Sequence, residues 1–104
     1  MTRFEHHLHL PVGVRDLEAV ASTAGRGGTT ASAIVRDLLR AAARSPIADL
    51  RSVSIAKVPA ARRLLHVRLS DRDVRTLREI TDELGVTEAA LVRGLIRSYL
   101  TRQR

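Results

Sequence analysis

The sequence predicts a mainly α fold built around a two-stranded antiparallel β-ribbon, in the order strand, helix, helix, linker, strand, helix, helix. Three observations predict it. The stretch Leu64-Leu65-His66-Val67-Arg68-Leu69-Ser70 alternates with period two, which puts Leu65, Val67 and Leu69 on one face of a strand and Leu64, His66 and Arg68 on the other. A near-copy, His7-Leu8-His9-Leu10-Pro11-Val12-Gly13, stands 57 residues earlier. Neither copy is followed by a hairpin turn or a nearby second strand. A lone strand with one apolar face needs a partner and a cover, so each copy is the other's partner.

The same offset carries on without a gap. Arg15-Asp16-Leu17 aligns with Arg72-Asp73-Val74, Gly28 with Gly85, and Thr30 to Arg40 with Thr87 to Arg97. Eleven positions between Leu8 and Arg97 are identical to their partners at this spacing, the mark of an internal duplication. The boundaries are residues 6–44 for the first copy, 45–63 for a linker and 64–104 for the second. Units of about 40 residues are usually too small to fold alone, so residues 1–104 read as one intertwined domain.

With the strand Leu65-His66-Val67-Arg68-Leu69, the cap Ser70, a helix through Leu84, the stop Gly85-Val86-Thr87 and the helix beginning near Leu91, the unit resembles the ribbon-helix-helix DNA-binding family, the fold of the Arc and methionine repressors. The resemblance covers about four-fifths of the chain and occurs twice in register. In that family two chains pair their strands into a ribbon that enters the DNA major groove. Both copies here lie in one chain, so the resemblance implies a tandem ribbon-helix-helix protein, an intramolecular pseudo-dimer.

Composition sets the bounds. The chain of 104 residues is 44% hydrophobic, with Phe4 and Tyr99 its only aromatics, so the core must be aliphatic and alanine-rich. There is no cysteine, hence no disulfide and no thiolate metal site. That fits a reducing compartment. Neither a signal-peptide pattern nor a membrane-length apolar run is present, and the sequence reads as cytoplasmic. A formal net charge of +7 suits a polyanionic partner, although an arginine-biased genome explains the charge alone equally well.

Each element has its local reason. Residues 1–5 read as frayed, with Phe4 able to fold back on the core, and the first strand covers 6–12. The first helix spans about 14–25 with Leu17, Val20, Ala21 and Ala24 inward, and Arg26-Gly27-Gly28 stops it. Thr29 or Thr30 caps a helix over about 31–44, with Ala33, Ile34, Leu38 and Ala41 on one face. In the linker, Ser45-Pro46 starts a possible helical turn at 46–51, and Ser52 to Val58 alternates like a strand until Pro59. Its length exceeds what the return to the ribbon needs, so it should pack on something. Ser70 caps a helix over 71–84, with Asp71 and Asp73 at its positive end and Val74, Leu77, Ile80, Thr81 and Leu84 inward. Thr87 caps a helix over 88–102 that is apolar around much of its circumference. Gly94 in its middle costs about 1 kcal/mol against alanine, which predicts the close approach of another helix; its counterpart is Asp37.

An antiparallel ribbon about the duplication centre faces His9 with His66, Leu8 with Val67, Leu10 with Leu65, His7 with Arg68 and Pro11 with Leu64. Pro11 has no N–H, so its side of the strand must face away from the ladder. The outward set is then His7, His9, Pro11, Leu64, His66 and Arg68, and the resemblance implies that this face reads DNA bases. Arg68 can chelate guanine O6 and N7, histidine can donate to N7, and Leu64 can touch a thymine methyl. The plain alternative is a solvated sheet face. Thr30 and Thr87 open helices whose free N–H groups suit a phosphate oxygen; the resemblance implies a backbone clamp there, and the plain alternative is capping alone. His6, His7, His9 and His66 come without a carboxylate or thiol, so no metal is expected. No catalytic constellation or cofactor motif is present either, and the chain does not read as an enzyme.

The expectation is therefore sequence-specific double-stranded DNA binding, with His7, His9, Leu64, His66 and Arg68 reading bases and Thr30 and Thr87 holding phosphates. A repressor is the role the resemblance implies. The rivals are a DNA-bending accessory protein of plasmid transfer or partition, and an antitoxin-like module that grips a protein through residues 45–63. Further self-association on DNA is compatible with each of these roles.

Overall fold

The computed structural model describes residues 3–103. Strands β1 (His6–Gly13) and β2 (Arg62–Leu69) pair antiparallel into a two-stranded ribbon. The register places His7 opposite Arg68, Leu8 opposite Val67, His9 opposite His66, Leu10 opposite Leu65 and Pro11 opposite Leu64. This is the pairing that the repeat and Pro11 require. One more ladder bond, Val14 N–H to the Ala61 carbonyl at 3.0 Å, continues the ribbon beyond Arg62. β2 thus begins two residues earlier than its alternation predicts. Residues 1, 2 and 104, at the ends of the expected domain, lie outside the described residues. Phe4 is half-buried, and the Arg36 guanidinium sits 4.0 Å from its ring centroid.

Helices α1 (Val14–Arg26) and α2 (Ala31–Ala43) follow β1, α3 (Ile47–Leu50) is one short turn, and α4 (Asp71–Leu84) and α5 (Glu88–Arg102) follow β2. The helix stops work as the glycines predict. Gly28 and Gly85 have φ of 67° and 70°, the left-handed conformation that lets a chain leave a helix while its N–H groups pair with the last carbonyls. Both Gly85 and Val86 donate to the Thr81 carbonyl. The starts are unequal. Ser70 and Asp73 form a reciprocal capping box on α4, whereas the equivalent of Ser70 is Gly13, which offers α1 no side-chain cap.

One buried cluster joins the inner face of the ribbon (Leu10, Val12, Leu65, Val67, Leu69) to residues of α1, α2, α3, α4 and α5. Its largest fully buried side chains include Leu39, Leu69, Leu77, Leu91 and Ile96, each contributing roughly 1.5–3 kcal/mol on burial. α5 is buried without interruption from Ala90 to Ile96, so it is covered on all sides. Two expected inward alanines are exposed, Ala21 on α1 and Ala41 on α2. The inner face of α2 is rotated by one residue to Ile34, Val35, Leu39 and Ala42, because that stripe holds the larger side chains.

The linker departs from expectation twice. Ser52 to Val58 forms no strand. It lies across α5 instead, with Ile55 N–H donating to the Ala90 carbonyl at 2.9 Å. The neighbour that requires Gly94 is therefore this linker and not a helix. A Cβ at Gly94 would stand 2.0 Å from the Val53 carbonyl oxygen and 2.9 Å from Ser54 Cα, and backbone cannot move aside as a side chain does. Among the described residues, no helix is long and apolar enough to cross a membrane.

Gly94→Ala should lower unfolding stability in urea by about 1–3 kcal/mol, the usual cost of overpacking. Asp37→Ala, at the equivalent but exposed position, should stay within about 0.5 kcal/mol of the parent. Equal effects at the two positions would contradict the linker contact.

Candidate nucleic-acid interface

A two-stranded ribbon gives each strand one edge for its partner and leaves the other edge bare, and unpaired backbone groups there must find other partners. On β2 the partners come from α2, a helix of the first copy. Ser32 Oγ accepts from Arg68 N–H and donates to the His66 carbonyl, both at 3.2 Å, and Arg36 donates to the Arg68 carbonyl at 2.8 Å. On β1 the partner comes from α5, in the second copy: Arg93 donates to the Pro11 carbonyl at 3.0 Å. Arg36 and Arg93 are equivalent in the repeat, and so are Arg68 and Pro11. These bonds also show that His7, His9, Pro11, His66 and Arg68 occupy non-hydrogen-bonded ladder positions, where opposite side chains approach most closely.

The outward face follows from that backbone. His7, His9, His66 and Arg68 are exposed and Pro11 is half-buried. Leu64, at 55% exposure, is one of only two large exposed hydrophobics among the described residues. The His9 and His66 rings meet across the strands with centroids 4.1 Å apart and planes inclined at 54°, and so mark the centre of the face. Thus all five base-reading candidates lie on one surface. The face also continues to Arg62, exposed opposite Gly13. At the opposite end His6 hydrogen-bonds Asp71.

Thr30 and Thr87 cap α2 and α5 identically, each accepting from the N–H three residues on, Ala33 and Ala90, at 3.1 Å. Both threonines are exposed. Their surroundings differ. α2 has no acidic residue in its first turn, whereas α5 has Glu88, paired with Arg78 at 3.9 Å. A carboxylate at a helix N-terminus competes with any incoming phosphate, so the α2 end is electrostatically the better anion seat. Ser32, on the first turn of α2, bonds to β2, which ties this helix start to the ribbon.

Arg93 is the side chain that sequence reasoning passed over. It is 4% exposed, and besides Pro11 it donates to the Ile55 carbonyl at 2.9 Å and to the Ala56 carbonyl at 3.1 Å. One guanidinium thereby ties α5, the linker and β1 together. The available signal was an arginine kept at the same place in both copies, inside an otherwise apolar helical stretch. A second equivalent pair links α1 with α5 and α4 with α2: Arg97 to Asp16 at 3.1 Å and Arg40 to Asp73 at 3.7 Å.

An open groove of about 860 Å3 lies between α2 and α4. Its four arginines, Arg3, Arg40, Arg44 and Arg72, stand among Glu5, Asp71 and Asp73, so most of the charge cancels locally. No group of three or more histidines and carboxylates is placed to hold a metal ion among the described residues. Comparison with protein-family models, curated proteins and solved structures finds no match for this chain.

Arg93→Met should remove the hydrogen bonds of three carbonyls and cost about 3 kcal/mol or more in chemical denaturation, since bonds from a charged donor contribute roughly 1.5–3 kcal/mol each. Arg36→Met, at the half-buried equivalent with a single such bond, should cost clearly less. A reversed order would refute the assignment of Arg93 as the fastening residue.

Proposed function

We propose that the chain is a sequence-specific double-stranded DNA-binding protein, a single-chain ribbon-helix-helix pseudo-dimer whose ribbon enters the major groove, and that it acts as a cytoplasmic transcriptional repressor. The observation that carries the reading is the ribbon's outer face. Its backbone edges are fastened by Ser32, Arg36 and Arg93, yet the side chains His7, His9, Leu64, His66 and Arg68 are left to solvent. A fold that spends a buried arginine on holding an edge, while exposing a leucine beside donors, supports recognition better than a passive surface. A two-stranded ribbon fits the groove, which is about 12 Å wide. The exposed caps Thr30 and Thr87 supply N–H groups for phosphates, and the +7 charge supplies the non-specific attraction.

Protein binding through residues 45–63 has less support, because Val53 to Ala56 are already engaged by Gly94, Ala90 and Arg93. DNA bending in transfer or partition would use the same face and differs in biological setting.

Selection of bound duplexes from a random pool tests the reading. The selected site should lack dyad symmetry, because Arg68 on β2 faces the groove where β1 offers Pro11 at the equivalent position. Arg68→Ala should reduce affinity for the selected site by about tenfold or more, as loss of a bidentate guanine contact does, with little change on random DNA. Thr87→Ala should weaken both alike. No enrichment of any sequence, or association with DNA that ignores salt, would refute the proposal.

A further inference from the structure

The ribbon is longer than its alternating sequence indicates, and the added length is not equivalent at the two ends. At one end Arg62 continues the outward series of β2 after Leu64, His66 and Arg68. It lies inside the ladder and not at a frayed terminus, because the Val14 to Ala61 bond closes the pair beyond it. Its cross-strand neighbour is Gly13, which has no side chain to crowd or pair with a guanidinium. Among the described residues its side chain makes one hydrogen bond, to the Pro59 carbonyl at 3.3 Å, long enough for a better acceptor to displace. The repeat places Glu5 at the position equivalent to Arg62, and Glu5 is exposed and pairs with Arg3 at 3.6 Å. One end of the outward face therefore presents a guanidinium and the other a carboxylate already paired with Arg3.

We infer that Arg62 is a further specificity-determining residue, taking the O6 and N7 edge of a guanine beyond the bases facing Leu64, His66 and Arg68. The inference rests on the proposed insertion of the ribbon into the major groove. Six residues of strand separate Arg62 from Arg68, roughly 20 Å at 3.3–3.4 Å per residue. That span covers several base pairs along the groove, so the two arginines address separate bases. Planar bidentate geometry suits guanine, and an exposed side chain opposite a glycine has the freedom to adopt it. At the Glu5 end a carboxylate, already paired with Arg3, has no proton to donate to guanine O6 or N7. The recognised site therefore extends on one side only, and β2 supplies both arginine contacts.

The test is duplex selection and binding titration with the parent chain, Arg62→Ala, Arg62→Lys and Arg68→Ala, with thermal melting to confirm folding of these exposed variants. The parent should select a guanine at an outer flank on one side of the site. Arg62→Ala should lose that preference and about tenfold in affinity for the selected site, and keep its affinity for random duplex within about twofold. Arg62→Lys, which keeps the charge but not the fork, should lose the preference as well. If both variants weaken selected and random duplexes equally, Arg62 touches phosphate and the inference is wrong. It is also wrong if neither variant changes the selected flank. If Arg68→Ala likewise leaves selection unchanged, or the parent selects nothing, the ribbon reading itself fails along with it.

Discussion

Each strand of the ribbon has two edges and only one partner strand. The carbonyls on the outer edges need partners from elsewhere, and those of His66, Arg68 and Pro11 find them on a helix of the other copy. Arg36, in the first copy, reaches the Arg68 carbonyl in the second; Arg93, in the second, reaches the Pro11 carbonyl in the first. The ion pairs Asp16 to Arg97 and Asp73 to Arg40 cross between copies in the same way. Beneath them the inner face of the ribbon shares one buried cluster with all five helices. Neither copy can therefore complete its own strand edge or cover its own apolar face. The pairing of β1 with β2 is the condition on which the helices, the core and the exposed surface all depend.

The two copies meet this condition unequally, and the linker is the reason. Residues 53–56 lie on α5, where Gly94 makes room for the backbone and Arg93 takes the Ile55 and Ala56 carbonyls. The equivalent place in the first copy is on α2. There Arg36 stacks on Phe4 instead, and the position of Gly94 is filled by Asp37, which pairs with Arg40 at 3.8 Å. Ser32 holds the β2 edge through two hydrogen bonds, while its equivalent, Ala89, has no hydroxyl with which to do the same for β1. The two ribbon edges are thus held differently: β2 by a hydroxyl and an arginine of α2, β1 by an arginine of α5 that also holds the linker.

Much of this was legible because few physical solutions exist. An antiparallel ribbon centred on the pseudo-two-fold of the repeat has one register, in which Pro11 owes the ladder no N–H, and it is the register observed. Gly28, Gly85, Ser70, Thr30 and Thr87 mark helix ends by stereochemistry that needs no tertiary context, and each does so here. Ala21 and Ala41 were misplaced because a methyl group buries too little area to orient a helix; the leucines and valines decide. The linker was misread because Val53 and Ile55 alternate as a strand would, while their backbone bonds go to a helix carbonyl and a guanidinium. Gly94 announced a close approach, but no glycine can say what approaches it. Arg62 escaped notice because the strand's apolar alternation stops before it, although the ladder does not.

The repeat itself sorts these roles. Positions identical in both copies include Asp16 and Asp73, Gly28 and Gly85, Thr30 and Thr87, Arg36 and Arg93, and Arg40 and Arg97, which are the ones that fasten edges, end helices, cap helices or tie copies together. Both halves need those atoms, so the residue is the same. Where the halves face different surroundings the residues part: Gly94 under the linker and Asp37 in water, Ser70 in a capping box and Gly13 opposite Arg62, Arg68 and Pro11 on the outward face. In an assembly of two identical chains a glycine at Gly94 would be imposed on both halves, and a carboxylate at Glu5 would stand at both ends of the ribbon. One chain carrying both copies escapes that constraint. The structure keeps its scaffold paired where the backbone demands it and lets the exposed face of the ribbon become directional.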